Sequence, residues 1–498
     1  MNWKSRVIYT TIFAQCIAGQ SCGGKEHKHP IEKQKPNILF ILADDQCYET
    51  VRSLGNTEIH TPNLDRLVSS GTTFTHAYNM GGWNGAISTA SRSMFNTGLF
   101  LWKSSKGNLK KKSVDPTTAG LMRDKEQLWS QRMSSQGYET YFAGKWHVKG
   151  VTSDEVFDHA KFEKKGMPKQ TAEGYYRPQL GVEDLWSPSD TTFGGFWQGG
   201  KHWSEVLRDI GEEYILNHKS NSKKPFFMYL GFNAPHDPRQ SPQEYVDMYP
   251  LDSIAVPSSF QEEYPDAETI CGRKLRDERL APYPRTPYSI KVNRQEYYAI
   301  ITHMDAQIGR ILEALDKSGQ AENTYIFFTA DHGLAVGNHG LMGKQNMYDH
   351  SIRSPFILTG PDVPRGKLIS HDIYIQDAMA SSLELAYGEE QKDIDFRSVM
   401  PLIRGDRIQN YESIYGAYIN RQRMIRSNGY KLILYPQKGI YKLFDLQIDP
   451  YEVNNIAHNP EHKERIKSMY QELKLLQKNK YKDPLSLDDF YPELMKYE

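Results

Sequence analysis

Asn37-Ile38-Leu39-Phe40-Ile41-Leu42-Ala43 is an unbroken apolar run that ends on two acids, Asp44-Asp45. A short run without alternation predicts a strand buried on both faces, as in parallel sheets. Two more runs follow: Pro225 to Phe232 (PFFMYLGF), and Thr324 to Thr329 (TYIFFT) just before Asp331-His332-Gly333. Between them, Thr61-Pro62 offers an N-cap and a first-turn proline for a helix ending near Gly71. Ile301, Met304, Ile308, Ile311, Leu312 and Leu315 share one helical face, with Gly319 just past its end. Strands alternating with helices predict an α/β fold, a large mixed and mostly parallel sheet sandwiched by helices.

Outward from this core, the texture changes. From about Asn410 to Pro450 the chain reads as short β-like pieces, Met424–Arg426, Tyr430–Tyr435 and Tyr441–Leu446, followed by a helix from Pro460 to about Gln477. A catalytic domain over 36–405 and a smaller C-terminal α+β subdomain over 406–498 are expected, since 498 residues exceed one ordinary core. At the other end, Lys4 and Arg6 precede an apolar-leaning stretch to Ala18, a signal-peptide layout for residues 1–21 that is too short to be an anchor. Cys22-Gly23-Gly24 leaves two outcomes open, lipidation of Cys22 or plain secretion, with 22–35 as a tether. Either way the expected location is the periplasm or outer membrane of a bacterium. The remaining Cys22, Cys47 and Cys271 make no disulfide framework. Lys+Arg and Asp+Glu balance at 61 each, so no overall field points to nucleic acid.

Two adjacent carboxylates at a strand end are costly unless a cation neutralises them. Ligands in α/β sheets sit beyond the carboxyl ends of strands, and Asp44, Asp45 and Asp331 would suit a hard divalent ion. The bland alternative is a helix cap or a surface ion pair, and His332 is equally a ligand or a core histidine. Ser88-Thr89-Ala90-Ser91-Arg92, after a glycine-rich stretch, offers a nucleophile and an anion-binding arginine, or merely an N-cap and a solvated side chain.

Taken together, Ser-x-Ala-Ser-Arg, the upstream acid pair and the downstream Asp-His-Gly resemble the formylglycine-dependent sulfatases of the alkaline phosphatase-like superfamily. Lys145-Trp146-His147, His236 in NAPHDP, Gly343-Lys344, and Leu443-Phe444-Asp445-Leu446 with Asp449-Pro450 and Glu452 match further family motifs in order. The family more often has Cys where Ser88 stands and Pro where Ala90 stands, and Asn96-Thr97-Gly98-Leu99 departs from its L-T-G-R. A serine implies maturation by a radical sulfatase-maturating enzyme.

The resemblance implies a hydrolase that removes sulfate from a sulfated saccharide. Residue 88 becomes formylglycine, whose hydrate attacks sulfur with one hydroxyl and expels sulfate with the other. One Ca2+ is implied on Asp44, Asp45, Asp331, His332 and the residue-88 oxygen, with Arg92, Lys145 and Lys344 supplying positive charge. His236 is expected as general acid and His147 beside the residue-88 hydroxyl, two roles that are exchangeable. Replacing Arg92 or His236 by Ala is expected to cut turnover at least about a hundredfold with the melting temperature nearly unchanged. Trp83, Asn84, Asp237 and Arg239 are expected near the sugar. The aromatics Trp186, Phe193, Phe196, Trp197 and Trp203, with His202, form either a stacking platform or their loop's own small core. Competing readings are an aryl- or choline-type sulfatase, a phosphomono- or diester hydrolase using unmodified Ser88, and an inactive glycan-binding lipoprotein.

Overall fold

The computed structural model describes residues 35–105, 117–270, 272–487, 490–491 and 494. The expected signal peptide, the lipid attachment at Cys22, the tether up to residue 34 and Cys271 lie outside these. The chain from Lys35 to Glu498 forms one compact unit.

Its centre is an eight-stranded sheet in the order Lys367–Ile369, Thr72–Phe74, Phe356–Thr359, Thr324–Ala330, Asn37–Ala43, Phe226–Gly231, Glu139–Lys145, His159–Lys164. The five strands from Thr324–Ala330 to His159–Lys164 run parallel, and Phe356–Thr359 pairs antiparallel with both of its neighbours. The expected mixed, mostly parallel α/β sheet is therefore observed. Every residue of Asn37–Ala43 is buried, because both faces are covered. Ile38, Phe40 and Leu42 pack with Phe95, Trp129 and Tyr229 on one face. Leu39, Ile41 and Ala43 pack with Leu207, Met304, Ile308 and Ile311 on the other.

Register places the site. Asn37 pairs with Thr324 and Ala43 with Ala330, so Asp44 and Asp331 leave adjacent strands side by side. Leu42 and Gly144 both pair with Gly231, which brings Lys145 to the same sheet end. Gly231 leaves room there: a Cβ at this position would stand 2.7 Å from the Lys145 carbonyl and 3.4 Å from Arg92 Nη1.

The helix with the Ile301–Leu315 face begins earlier, at Pro287, where the Thr286 side chain caps Ser289 N–H, and it runs to Lys317. The Pro62–Ser70 helix starts as expected, but Thr61 makes no side-chain cap. Asp305 instead accepts from the Asn63 and Leu64 amides, at 3.1 and 2.8 Å. Toward the C-terminus, Ser413–Tyr418, Gln422–Ser427, Tyr430–Tyr435 and Ile440–Asp445 form an antiparallel sheet, covered by the Lys463–Leu476 helix. Gly81–Gly82, just before the serine segment, adds to it as a fifth, parallel strand.

Candidate active site

Ser88 lies in the first turn of the buried Ile87–Thr97 helix, whose positive end favours negative charge. Its hydroxyl is 2.9 Å from His332 Nε2, 3.2 Å from Asp44 Oδ1 and 3.4 Å from Lys145 Nζ. Asp44, Asp45, Asp331 and His332 are all buried and offer ligand atoms within 4.8 Å of one another. The surface-pair and helix-cap alternatives for these acids are thereby removed. The donor set fits a hard divalent cation: carboxylate oxygens with one imidazole. His332 Nδ1 donates to the Gly333 carbonyl at 2.9 Å, which leaves Nε2 as a lone-pair donor toward the cluster.

Three cations surround the acids. Arg92, fully buried, donates Nε to Asp331 at 3.0 Å and Nη1 to the Lys145 carbonyl at 2.7 Å, while Nη2 is unpartnered, 3.8 Å from Asp44. Lys145 Nζ contacts Asp44. Lys344 Nζ reaches both oxygens of Asp45, at 2.7 and 2.5 Å. Burial opposes ionisation of Asp44, but Lys145, His236, Arg92 and Lys344 outweigh it and hold the carboxyl well below its ordinary range. Burial pulls Lys145 down, with Asp44 opposing, whereas for Lys344 burial is overcome by Asp45 and Asp277 and the ammonium is held above its usual range.

The expected neighbours divide. His236 is at the site, with Nε2 3.7 Å from Asp45 Oδ2. His147 does not touch the residue-88 hydroxyl; its Nε2 meets Thr89 Oγ1 at 3.0 Å, and His332 takes the place expected for it. Burial, together with Lys145 and Arg92, lowers His147 to about 2, so it stays a neutral ring. Asp237 and Arg239, expected to meet sugar, are buried. Asp237 is 3.1 Å from His236 Nδ1 and pairs with Arg276. Arg239 donates to Asn293 at 2.8 Å and lies over the Tyr297 ring. Trp83 and Asn84 are half-buried before the serine helix; Trp83 packs on the C-terminal core and Asn84 accepts from Ala86 N–H at 2.8 Å. Phe196 stacks on His202 and packs edge-on against Trp203, while Trp186 lies under Arg177 at 4.5 Å. Phe196 joins the core on one face of the central sheet and Trp203 packs against that core.

Other contributors carry no motif. Asn79 donates to the Asp331 carbonyl at 2.6 Å, and Tyr297 donates to the Asp45 carbonyl at 2.6 Å. Asp45 itself holds φ of 68°, a left-handed geometry uncommon for a non-glycine residue. Arg276-Asp277-Glu278 forms a charged turn. Glu278 accepts from Gly343 N–H at 2.8 Å and from Arg285 at 2.7 Å, bracing the backbone beside Lys344. Glu278→Ala strands the Arg285 charge and two amides, so thermal melts are expected to show a loss of about 3–5 kcal/mol.

Acids and an imidazole that could hold a metal ion stand at the carboxyl ends of a mixed sheet, with a serine on the adjoining helix, an arrangement suited to a hydrolase. Residues 36–388 match the sulfatase family profile, and residues 337–479 match the C-terminal region of N-sulphoglucosamine sulphohydrolase. The chain belongs to the sulfatase family and is a sulfuric ester hydrolase. A sulfatase of Formosa agariphila is 27% identical over 471 residues, covering 90% of this chain and 88% of its own. An N-acetylglucosamine-6-O-sulfatase of Bacteroides thetaiotaomicron is 24% identical, covering 91% and 88%. Among solved structures, a protein in complex with its substrate D-glucosamine-2-N,6-O-disulfate aligns with TM-score 0.70 at 23% identity, covering 92% of this chain and 100% of the other. A phosphonate monoester hydrolase of Agrobacterium radiobacter aligns at 0.68 and 17% identity, covering 89% and 96%. At these identities the structural likeness shows the fold.

Proposed function

We propose that this protein is an exported bacterial carbohydrate sulfatase, acting on a sulfate ester of a saccharide through a formylglycine made from Ser88 and one bound calcium ion. The observation that carries it is the Ser88 hydroxyl, within 3.4 Å of Asp44, His332 and Lys145 in a buried cluster of three carboxylates and three cations. Asp44, Asp45, Asp331 and His332 would hold the ion, which supplies Lewis acidity and charge neutralisation for sulfate oxygens. Oxidised and hydrated, residue 88 supplies two hydroxyls on one carbon, which serine lacks.

The chain's own groups do the rest. Lys145 and Arg92 present positive charge beside residue 88, and Lys344 does so beside Asp45. His236 gives a proton to the leaving alcohol, and His147 fixes the Thr89 hydroxyl at the turn that carries residue 88. The saccharide preference is supported by the relative named as an N-acetylglucosamine-6-O-sulfatase and by the ulvan-active sulfatases of Formosa agariphila, at 26% identity. An arylsulfatase of Clostridium perfringens at 26% identity keeps a non-sugar ester as the second reading.

Protein made in a host with the radical maturase is expected to show residue 88 two mass units lighter than serine, by peptide mass spectrometry, and to desulfate members of a panel of sulfated mono- and disaccharides. Ser88→Ala abolishes turnover. Unmodified Ser88 in an active phosphatase, or hydrolysis of aryl but no sugar sulfates, would overturn the corresponding part of this reading.

A further inference from the structure

Asp237 does not reach solvent, being 2% exposed, and nothing in the reaction described so far uses its charge. It packs against His236, whose Nδ1 is 2.8 Å from the Asp237 carbonyl and 3.1 Å from its carboxylate. One residue therefore offers two acceptors to one ring nitrogen, which leaves Nε2 toward Asp45 and the sulfate end of the site. The Asp237 carboxylate is in turn tied to Arg276, which also grips Asp277. Asp277 accepts from Gln345 Nε2 at 2.9 Å, and Glu278 braces the amides of Met342 and Gly343. Three consecutive residues thus hold the histidine on one side and the Lys344 segment on the other. Arg276 is the partly exposed member, at 29%, and its charge is already matched by two acids, so it is built for holding rather than for reading a free anion.

We propose that Asp237 and Arg276 are positioning residues that aim His236 at the leaving oxygen. This rests on the sulfatase reading and deepens it. As the S–O bond breaks, its electron pair goes to the sugar oxygen; the His236 Nε2–H bond breaks and an O–H bond forms on that oxygen. A ring displaced by about 1 Å costs such a step about a hundredfold. An alkoxide needs the proton, while a nitrophenolate leaves without it, so the two residues matter only for poor leaving groups.

The test compares a sugar O-sulfate with 4-nitrophenyl sulfate on maturase-processed enzyme. Asp237→Asn and Arg276→Ala are expected to lower kcat on the sugar ester at least about thirtyfold, with KM within about twofold, and to change kcat on the nitrophenyl ester less than about threefold. Arg276→Lys keeps the charge and recovers most of the loss. Equal losses on both esters, or none on either, overturn the proposal. Wild-type turnover of 4-nitrophenyl sulfate reports on the sulfatase reading separately. Should the wild type hydrolyse neither ester, a crystal structure of Asp237→Ala decides positioning alone: a His236 ring shifted by about 1 Å supports it, and an unmoved ring overturns it.

Discussion

Arg92→Ala is expected to abolish measurable turnover and to lower the melting temperature by several degrees. Loss of one charge contact in a water-excluded site typically costs about a hundred- to a thousandfold. Here one side chain also orients two others: Nε holds Asp331, and Nη1 holds the carbonyl of Lys145. Removing it leaves Asp331 without its charged donor and weakens the charge balance around Asp44, both fully buried. Breaking a buried pair on one side costs about 3–5 kcal/mol. The expectation from sequence alone, turnover cut at least about a hundredfold with the melting temperature nearly unchanged, is revised in its second half because the guanidinium is fully buried. Arg92→Lys is expected to regain part of the stability and little of the activity, since an ammonium cannot reproduce the planar fork. Initial rates on a sugar sulfate and thermal melts check both parts. A variant that melts with the wild type would show that Arg92 is not the brace described.

Chelation has the second large effect. Treatment with EGTA is expected to remove turnover and lower the melting temperature, and added calcium to restore both. The sign follows from mass action: an ion that binds the folded cluster and not the unfolded chain stabilises the fold, by about 2.7 kcal/mol when calcium stands at a hundred times its Kd. The cluster gives it reason to bind, because three buried carboxylates share 4.8 Å with one imidazole. Asp331→Asn is expected to erase the calcium-dependent shift, since it removes a ligand oxygen and the Arg92 pairing together. Full turnover with an unchanged melting curve after exhaustive chelation would remove the metal from this site.

Much of the architecture follows from local pattern. NILFILA and PFFMYLGF contain the strands Asn37–Ala43 and Phe226–Gly231, TYIFFT covers all but the last residue of Thr324–Ala330, and each is unbroken because both faces of the sheet are covered. The Ser413–Tyr418 strand does not stand out in the sequence pattern, since SIYGAY carries a glycine and lies after a polar loop. Thr61 looks like the cap in local sequence, but the acceptor, Asp305, lies 242 residues away in sequence from Asn63.

The motifs behind the family resemblance were enough to name Ser88, Arg92, Lys145, Lys344, the three aspartates and both site histidines as a set, whereas strand-end position by itself pointed only to Asp44, Asp45, Asp331 and His332. Which atoms meet was decided by tertiary structure, through strand register and the return of distant loops. Lys344 reaches Asp45 across 299 positions, and His332 reaches Ser88 across 244. That geometry moved His147 from residue 88 to Thr89 and buried Asp237 beneath His236. It also enlisted Arg276, Asp277 and Glu278, which no motif in the sequence marks.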